Sequence, residues 1–199
     1  MTVTETPLPG VLVVEPRVHR DARGAFWETY HEGRYAAAGI DARFVQTNVS
    51  RSRGGTLRGL HFQAPPHAQA KLVSVLDGAI FDVAVDLRPG SPTFGAWFGM
   101  DLTAESMQQV FVPEGFAHGF VVTSETALVS YACSAVYAPE AERSVAWDDP
   151  DIGIAWPVAA PVLSEKDASA PRLADLVSPS TFGGRAGARR DARNPTRPA

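Results

Sequence analysis

The sequence predicts an all-β protein, either a sandwich or a barrel of many short strands. Short apolar runs alternate with turns rich in Gly and Pro over most of the chain, which is typical of that class. Over residues 79–87 the apolar side chains of Phe81, Val83, Val85 and Leu87 alternate with polar or small ones, so one face of that strand is apolar. With 199 residues, of which 45% are hydrophobic, the chain can form one domain with a sizeable core.

The elements follow each other at short intervals. The first ten residues are interpreted as an arm, and residues 21–24 as a turn. Residues 34–38 suit one or two helical turns that stop at Gly39, and residues 164–167 form a polar turn or short helix. Strands are predicted at 11–14, 25–30, 44–50, 57–62, 71–76, 79–87, 96–102, 109–112, 116–123 and 126–136. Residues 1–177 are predicted to be a single domain, and residues 178–199 a disordered, dispensable tail rich in Gly, Arg and Pro.

One turn carries a specific signal. Asp77 and Gly78 separate the runs 71–76 and 79–87, and Asp-Gly between two such runs favours a hairpin, because Gly tolerates the positive φ of a type I′ turn. The sequence therefore predicts that these two strands pair with each other.

Charge and cysteine content exclude several functions. The formal net charge is -4, and residues 183–199 hold five Arg and one Asp, so the tail is about +4 and the remaining body about -8 (-4 minus +4). An acidic body does not favour nucleic-acid binding. The single cysteine, Cys133, rules out an intrachain disulfide and makes a cysteine zinc site improbable. We find no signal peptide and no apolar run of spanning length, so no membrane is expected and the predicted location is the cytoplasm.

Polar residues on adjacent strands mark the candidate site. The segment 54–88 carries Arg58, His61 and Lys71. Each has an ordinary explanation: a lone strand histidine is more often structural, and lysine is common on edge strands. Arg58 and His61 are three residues apart, so a regular strand would point them to opposite faces. A bulge at Gly59 would bring both to one side.

A second short motif limits the metal chemistry. The spacing Pro113-x-Gly115-x-x-His118 is similar to the second metal motif of cupin barrels. The first such motif would carry His-x-His and a later Glu, whereas this chain has His61-x-Gln63 followed by Lys71. Two histidines beside an ammonium make a weak divalent-cation site. A barrel is therefore expected, and a bound metal is not.

Longer motifs carry a resemblance to a known family. They are LRGLHFQ (57–63), FDVAVD (81–86), GSPTFG (90–95), VPEGFAHGF (112–120) and LSEKD (163–167). Over residues 9–173 the chain resembles the dTDP-4-dehydrorhamnose 3,5-epimerases. The resemblance implies a cupin-type double-stranded β-helix, or jelly-roll barrel, with short peripheral helices. It also implies a homodimer, no metal, no cofactor and a dTDP-sugar substrate.

The resemblance assigns roles position by position. His61 matches the general base, Asp167 its carboxylate partner, Tyr131 the general acid on the opposite face of the sugar, and Lys71 the cation near the ketone oxygen. Tyr137 matches the aromatic residue near the thymine. Other substrate-contacting positions are Arg23, Glu28, Gln46, Asn48, Arg58, His118, Glu142 and Lys166. In such a homodimer the N-terminal strands pack on the partner, and Arg23 is expected to reach across to it.

Some positions depart from the commonest family pattern. Thr47, Val49, Ser74 and Ala132 stand where the family usually has Asp, His, Arg and Lys. They are neighbours of active positions along the chain and none is catalytic. The departures leave open inversion of one carbon instead of two.

The implied reaction explains the residue types. Inverting a carbon beside a ketone needs a base such as histidine, a cation at the developing oxyanion and a donor on the opposite face. The leading interpretation is inversion at C3 and C5 of a dTDP-4-keto-6-deoxyhexose, from dTDP-4-dehydro-6-deoxy-D-glucose to dTDP-4-dehydro-L-rhamnose. The alternatives are a single-site 3- or 5-epimerase, a 3,4-ketoisomerase, and a non-catalytic sugar-nucleotide-binding cupin.

Overall fold

Short antiparallel strands dominate residues 1–176, the part of the chain that this computed structural model describes. The strands are β1 (Thr2–Glu5), β2 (Leu12–Glu15), β3 (Val18–Asp21), β4 (Gly24–Trp27), β5 (Gln46–Arg53), β6 (Leu57–Gln63), β7 (Lys71–Asp77), β8 (Ala79–Asp86), β9 (Trp97–Thr103), β10 (Gln109–Val112), β11 (Phe116–Val122), β12 (Thr126–Cys133) and β13 (Glu142–Ser144). The helices are α1 (Glu32–Ala37), α2 (Glu165–Ala168), α3 (Leu173–Leu176) and a 3-10 turn at Pro139–Ala141.

Two sheets form the body. The larger has the strand order β1-β2-β10-β7-β12-β5, the smaller β13-β6-β11-β8-β9, and β3 pairs with β4 in a separate hairpin. Their inner faces share one apolar cluster, to which β7 contributes Val73 and Val75 and β11 contributes Phe116 and Phe120. All strand pairs in these sheets are antiparallel. The predicted all-β jelly-roll class with short peripheral helices is confirmed.

Both sheets are also covered on their outer faces. The apolar residues of β8, among them Val83 and Val85, pack against Ile152 and Leu173 from the C-terminal segment. On the other side, Tyr35 of α1 packs with residues on the outer face of the larger sheet. Successive residues of β8 therefore point to two different buried faces. Val83 and Val85 point to the outer face, and the residues that alternate with them point into the space between the sheets.

The predicted hairpin at Asp77 and Gly78 is wrong. Strand β7 lies in the larger sheet and pairs with β10 and β12, whereas β8 lies in the smaller sheet and pairs with β9 and β11. Gly78 has φ +77, and a Cβ atom there would clash with the carbonyl oxygen of Thr126. The glycine makes a tight corner between sheets, where neither the conformation nor the space suits another residue.

Other differences lie near the N-terminus. Part of the predicted arm is strand β1, which pairs with β2 and leaves its other side as a sheet edge. The predicted turn at residues 21–24 connects β3 to β4, and the predicted helix begins two residues early, where the His31 ring accepts from the Arg34 amide. The predicted tail, residues 178–199, lies outside the described residues. Among those that are described, no helix is long and apolar enough to cross a membrane.

Candidate active site

A cavity of about 320 Å³ opens between the two sheets and gathers polar residues from distant parts of the chain. Strands β6, β7, β11, β12 and β13 contribute to its wall, and α2 supplies the rest. The lining residues are Arg58, His61, Lys71, His118, Phe120, Tyr131, Glu142, Ser164, Lys166 and Asp167. The four predicted catalytic residues therefore lie around one cavity.

A bulge in β6 explains how Arg58 and His61 reach the same cavity. The pairing of β6 with β11 shifts between His118, opposite His61, and Phe120, opposite Arg58. Gly59 sits at the shift with φ +133, and a Cβ atom on it would lie 2.5 Å from the Gly119 Cα atom. Only glycine fits this close approach of two backbones. The predicted bulge is confirmed.

His61 and Asp167 form a close pair at the cavity wall. The His61 Nε2 atom is 2.5 Å from the Asp167 Oδ1 atom. Burial, the largest influence, acts to raise the pKa of Asp167, but the hydrogen bonds with His61 and Ser164 and the nearby positive charge together outweigh it, so this pKa is lowered. An ionised carboxylate accepts the Nε2 proton, which leaves the Nδ1 atom of a neutral His61 free to accept another.

Helix α2 positions the carboxylate. Its N-cap is Ser164, whose Oγ atom accepts a hydrogen bond from the Asp167 amide at 3.1 Å. Just before the helix, the Val162 carbonyl accepts from the Leu57 amide. These contacts fix the helix to the start of β6, the strand that carries His61.

Lys71 and Tyr131 come from neighbouring strands of the larger sheet. The Lys71 Nζ atom donates to the His61 carbonyl at 3.4 Å. Burial lowers the pKa of Lys71, while the acidic groups Asp82 and Glu142 act in the opposite direction. Burial raises the pKa of Tyr131, which keeps its phenol protonated at neutral pH. The cavity thus holds an imidazole, a lysine amine and a phenolic proton.

A second histidine–carboxylate pair lies at the cavity wall, where His118 is a lining residue. The His118 Nε2 atom is 2.7 Å from the Asp82 Oδ1 atom, and both side chains are buried. His118 was predicted as a contact residue, whereas Asp82 was not predicted as its partner. A carboxylate in a strand with both neighbours apolar, Phe81 and Val83, was the available signal, since a buried charge requires a partner.

Four residues form a hydrogen-bonded chain that we call the rim network: Gln46, Tyr137, Glu142 and Lys166. The Lys166 Nζ atom lies 2.6 Å from Glu142 Oε1, and the Tyr137 hydroxyl donates to Glu142 Oε2 at 2.9 Å. The Tyr137 amide donates to Gln46 Oε1 at 2.8 Å. The network joins β5 to α2 across the cavity's exposed edge, and Asn48 adjoins it through a hydrogen bond from Gln46 at 3.0 Å.

Five predicted contact residues do not line this cavity. Gln46 and Tyr137 belong to the rim network and Asn48 adjoins it, whereas Arg23 and Glu28 lie elsewhere. Arg23, whose side chain is 91% exposed, pairs with Asp21 in the β3–β4 hairpin. Glu28 pairs with Arg34 of α1 at 2.8 Å. Their roles in substrate binding stay predictions. Arg23 is expected to reach across to the partner subunit.

The positions that depart from the family pattern do not face the cavity. Ala132 packs against the outer cluster, and the Ser74 hydroxyl accepts from the Gln109 side chain at 2.8 Å. Thr47 and Val49 are exposed on the opposite parity of β5 from Asn48. They are neighbours of site residues along the chain only, because alternate residues of a strand point to opposite faces.

The arrangement defines a class of chemistry. A base with its carboxylate, a cation and a protonated phenol around one cavity can remove a proton from carbon, stabilise the enolate and return a proton. In the described residues, no group of three or more His, Cys, Asp or Glu side chains is placed to hold a metal ion. Fold and site together define an isomerase on a cupin-type barrel.

Comparison with known proteins identifies the family. The model of the dTDP-4-dehydrorhamnose 3,5-epimerase family matches residues 5–175. The epimerase of Pseudomonas aeruginosa is 50% identical over 177 residues, which cover 88% of this chain and 97% of the relative. The chain therefore belongs to the dTDP-4-dehydrorhamnose 3,5-epimerase family, as the motifs predicted.

Solved structures of the family agree with this assignment. An epimerase from Legionella pneumophila in complex with dTDP-4-keto-L-rhamnose matches with a TM-score of 0.87 and 45% identity, covering 91% of this chain and 96% of that one. A 3'-monoepimerase from Streptomyces bikiniensis in complex with dTDP-quinovose matches with a TM-score of 0.82 and 39% identity, covering 89% and 92%. The relatives are enzymes of the isomerase class, which disfavours the non-catalytic alternative.

Proposed function

We propose that this protein inverts carbons 3 and 5 of dTDP-4-dehydro-6-deoxy-D-glucose to give dTDP-4-dehydro-L-rhamnose. The observation that carries the proposal is the His61–Asp167 pair at 2.5 Å in a cavity that Tyr131 and Lys71 also line. The named relatives support a dTDP-sugar substrate, since one solved structure holds dTDP-4-keto-L-rhamnose, the product of the proposed reaction.

The first step is removal of a proton beside the ketone. His61 Nδ1 takes the proton from carbon 3 or carbon 5, and Asp167 stabilises the imidazolium that forms. Electrons move onto the ketone oxygen, where the Lys71 ammonium stabilises the developing charge. Asp167 needs no proton of its own for this role, because its lowered pKa keeps it ionised at neutral pH.

The second step decides between exchange and inversion. The Tyr131 phenol donates a proton to the face of the enolate opposite His61, so the carbon is inverted. Because its pKa is raised, the phenol keeps its proton at neutral pH and can donate it to the enolate. In the same proposal Arg58 and Lys166 bind the diphosphate, since both are cations at the cavity wall.

A second candidate is inversion at one carbon only. The match to a 3'-monoepimerase favours it. An NMR time course in deuterated water with dTDP-4-keto-6-deoxyglucose separates the candidates, because it shows which carbons exchange and which invert. Two exchanged and inverted carbons support the 3,5-epimerase, one supports the monoepimerase, and transfer of the ketone to carbon 3 would indicate a 3,4-ketoisomerase. No exchange by folded protein would refute the proposal.

We also propose that the protein acts as a homodimer in which the β3–β4 hairpin carries Arg23 toward the partner. Strand β1 is an edge of the larger sheet, and Phe26 in the hairpin is 70% exposed. Edges and exposed aromatic side chains of this kind favour a protein partner. Light scattering at micromolar concentration tests the state, and a monomer would contradict it.

A further inference from the structure

The contacts of Glu142 give it a different role from a simple substrate ligand. Its Oε1 atom lies 2.6 Å from Lys166 Nζ, and its Oε2 atom accepts from the Tyr137 hydroxyl at 2.9 Å. Both carboxylate oxygens are therefore occupied by groups of the protein itself. Burial acts to raise the pKa of Glu142, but the bonds from Lys166 and Tyr137 outweigh it, so the group is held ionised.

The charges around the cavity make this pairing consequential. The lining cations are Arg58, Lys71 and Lys166, and the lining carboxylates are Glu142 and Asp167. Asp167 is engaged by His61. Lys166 is the lysine at the exposed edge, and in this structure its charge is already neutralised by Glu142.

A diphosphate that binds Lys166 meets this carboxylate directly. Two anions cannot share the ammonium at close range without repulsion, and Glu142 is not protonated to relieve it. A diphosphate at Lys166 therefore favours separation of Glu142 from it. Because Tyr137 donates to the same carboxylate, the departure also frees the phenol of Tyr137, whose backbone amide stays bonded to Gln46.

We propose that Glu142 is a stand-in anion, which occupies Lys166 until a nucleoside diphosphate displaces it and thereby sets the affinity for that group. The inference rests on the proposed function for the identity of the ligand. Its consequence is counterintuitive for a residue at a binding site: removing the charge of Glu142 strengthens binding. A weaker hold on the diphosphate also speeds product release, because the carboxylate competes for Lys166.

Calorimetric titration of Glu142→Gln with inorganic pyrophosphate, dTDP and thymidine tests the proposal. Glutamine keeps an oxygen and the side-chain length, so the barrel is retained. We expect pyrophosphate and dTDP to bind about two- to fivefold more tightly, as suits a partly exposed ion pair. Thymidine, which lacks phosphate, should bind as it does to the wild type.

The matched control is Glu140→Gln. Glu140 is an exposed carboxylate on the same segment, and its side chain lies 3.8 Å from the His67 ring and forms no ion pair with Lys166 among the described residues. The control should bind all three probes as the wild type does. Unchanged or weaker pyrophosphate binding by Glu142→Gln, or an equal gain in Glu140→Gln, would overturn the stand-in role.

A double-mutant cycle shows whether Glu142 acts through Lys166. In a Lys166→Met background, Glu142→Gln should lose at least half of its gain in pyrophosphate affinity, since the competition no longer exists. An undiminished gain would mean general repulsion and would overturn the proposal. Pyrophosphate binding requires no turnover. The stand-in role can therefore be refuted while the epimerase proposal stands, and the epimerase proposal can be refuted while the stand-in role stands.

Discussion

The two histidine–aspartate pairs have nearly the same geometry and opposite surroundings. His61 and His118 are cross-strand partners in β6 and β11, and the pairs close at 2.5 Å and 2.7 Å. The side chains are 27% and 5% exposed in His61–Asp167, but 6% and 1% in His118–Asp82. The two pairs therefore differ mainly in how exposed the histidine side chain is, and the more exposed His61 is the one that can exchange protons more readily with a ligand.

The largest expected effect comes from breaking the open pair. His61→Ala should lower both exchange and inversion by roughly 10²–10⁴-fold, because His61 is the base that the proposed mechanism uses at the reacting carbon. Deuterium incorporation followed by NMR measures both. His67→Ala, which removes a histidine from an exposed loop, is the control. If folded His61→Ala kept exchange within about tenfold of wild type, the base would have to be another residue.

Tyr131→Phe should separate two rates that His61→Ala lowers together. His61 can still form the enolate and return a deuteron to the same face, so exchange at carbon 3 or carbon 5 persists while inversion drops. The ring is kept, so the barrel should stay folded. Tyr30→Phe, in the outer cluster, is a matched control. Equal loss of exchange and inversion would contradict a dedicated opposite-face donor.

A pair of alanine substitutions sharpens the contrast between stability and activity. Asp82→Ala leaves the His118 ring buried without its partner, which should cost about 1–3 kcal/mol of unfolding free energy. Asp167 lies at the cavity wall, where water can replace its carboxylate. Asp167→Ala should therefore lower the unfolding free energy less than Asp82→Ala does, and lower the turnover rate more. Urea denaturation and steady-state rates of both variants provide the comparison. The reverse ranking in both measurements would show that exposure does not distinguish the pairs.

The smallest expected effect is on acid stability. The pKa of Asp167 is lower in the folded protein than its ordinary value, so the folded state binds fewer protons and gains stability as pH rises. This contribution is complete above about pH 4 and is lost as pH falls through the folded pKa. Asp167→Asn should flatten the acid limb of the unfolding free energy. Asp148→Asn, which affects an exposed pair at 3.6 Å, should leave that limb unchanged.

Local pattern predicted most strands, because alternation and Gly- or Pro-rich turns are properties of neighbouring residues. It failed at Gly78, since an Asp-Gly pair looks the same in a hairpin and at a corner between sheets. Which of the two forms depends on the partners of β7 and β8, and those partners lie far along the chain.

The site shows the same division. Gly59 supplied a local reason for Arg58 and His61 to share a face, and that expectation is confirmed. That Asp167, more than a hundred residues from His61, lies within hydrogen-bonding distance followed only from the family resemblance. The apolar neighbours of Asp82 indicate that it is buried, but nothing local in the sequence indicates that His118 is its partner.

The close approach of Gly59 and Gly119 has a consequence for how this enzyme can be varied. A Cβ atom on Gly119 would lie 2.9 Å from the Arg58 carbonyl oxygen, and one on Gly59 would press on the Gly119 backbone. In a deep mutational scan both positions should therefore score as intolerant although neither has a side chain to touch a ligand. Libraries built to redirect substrate choice should leave these two codons fixed and diversify the cavity wall around them.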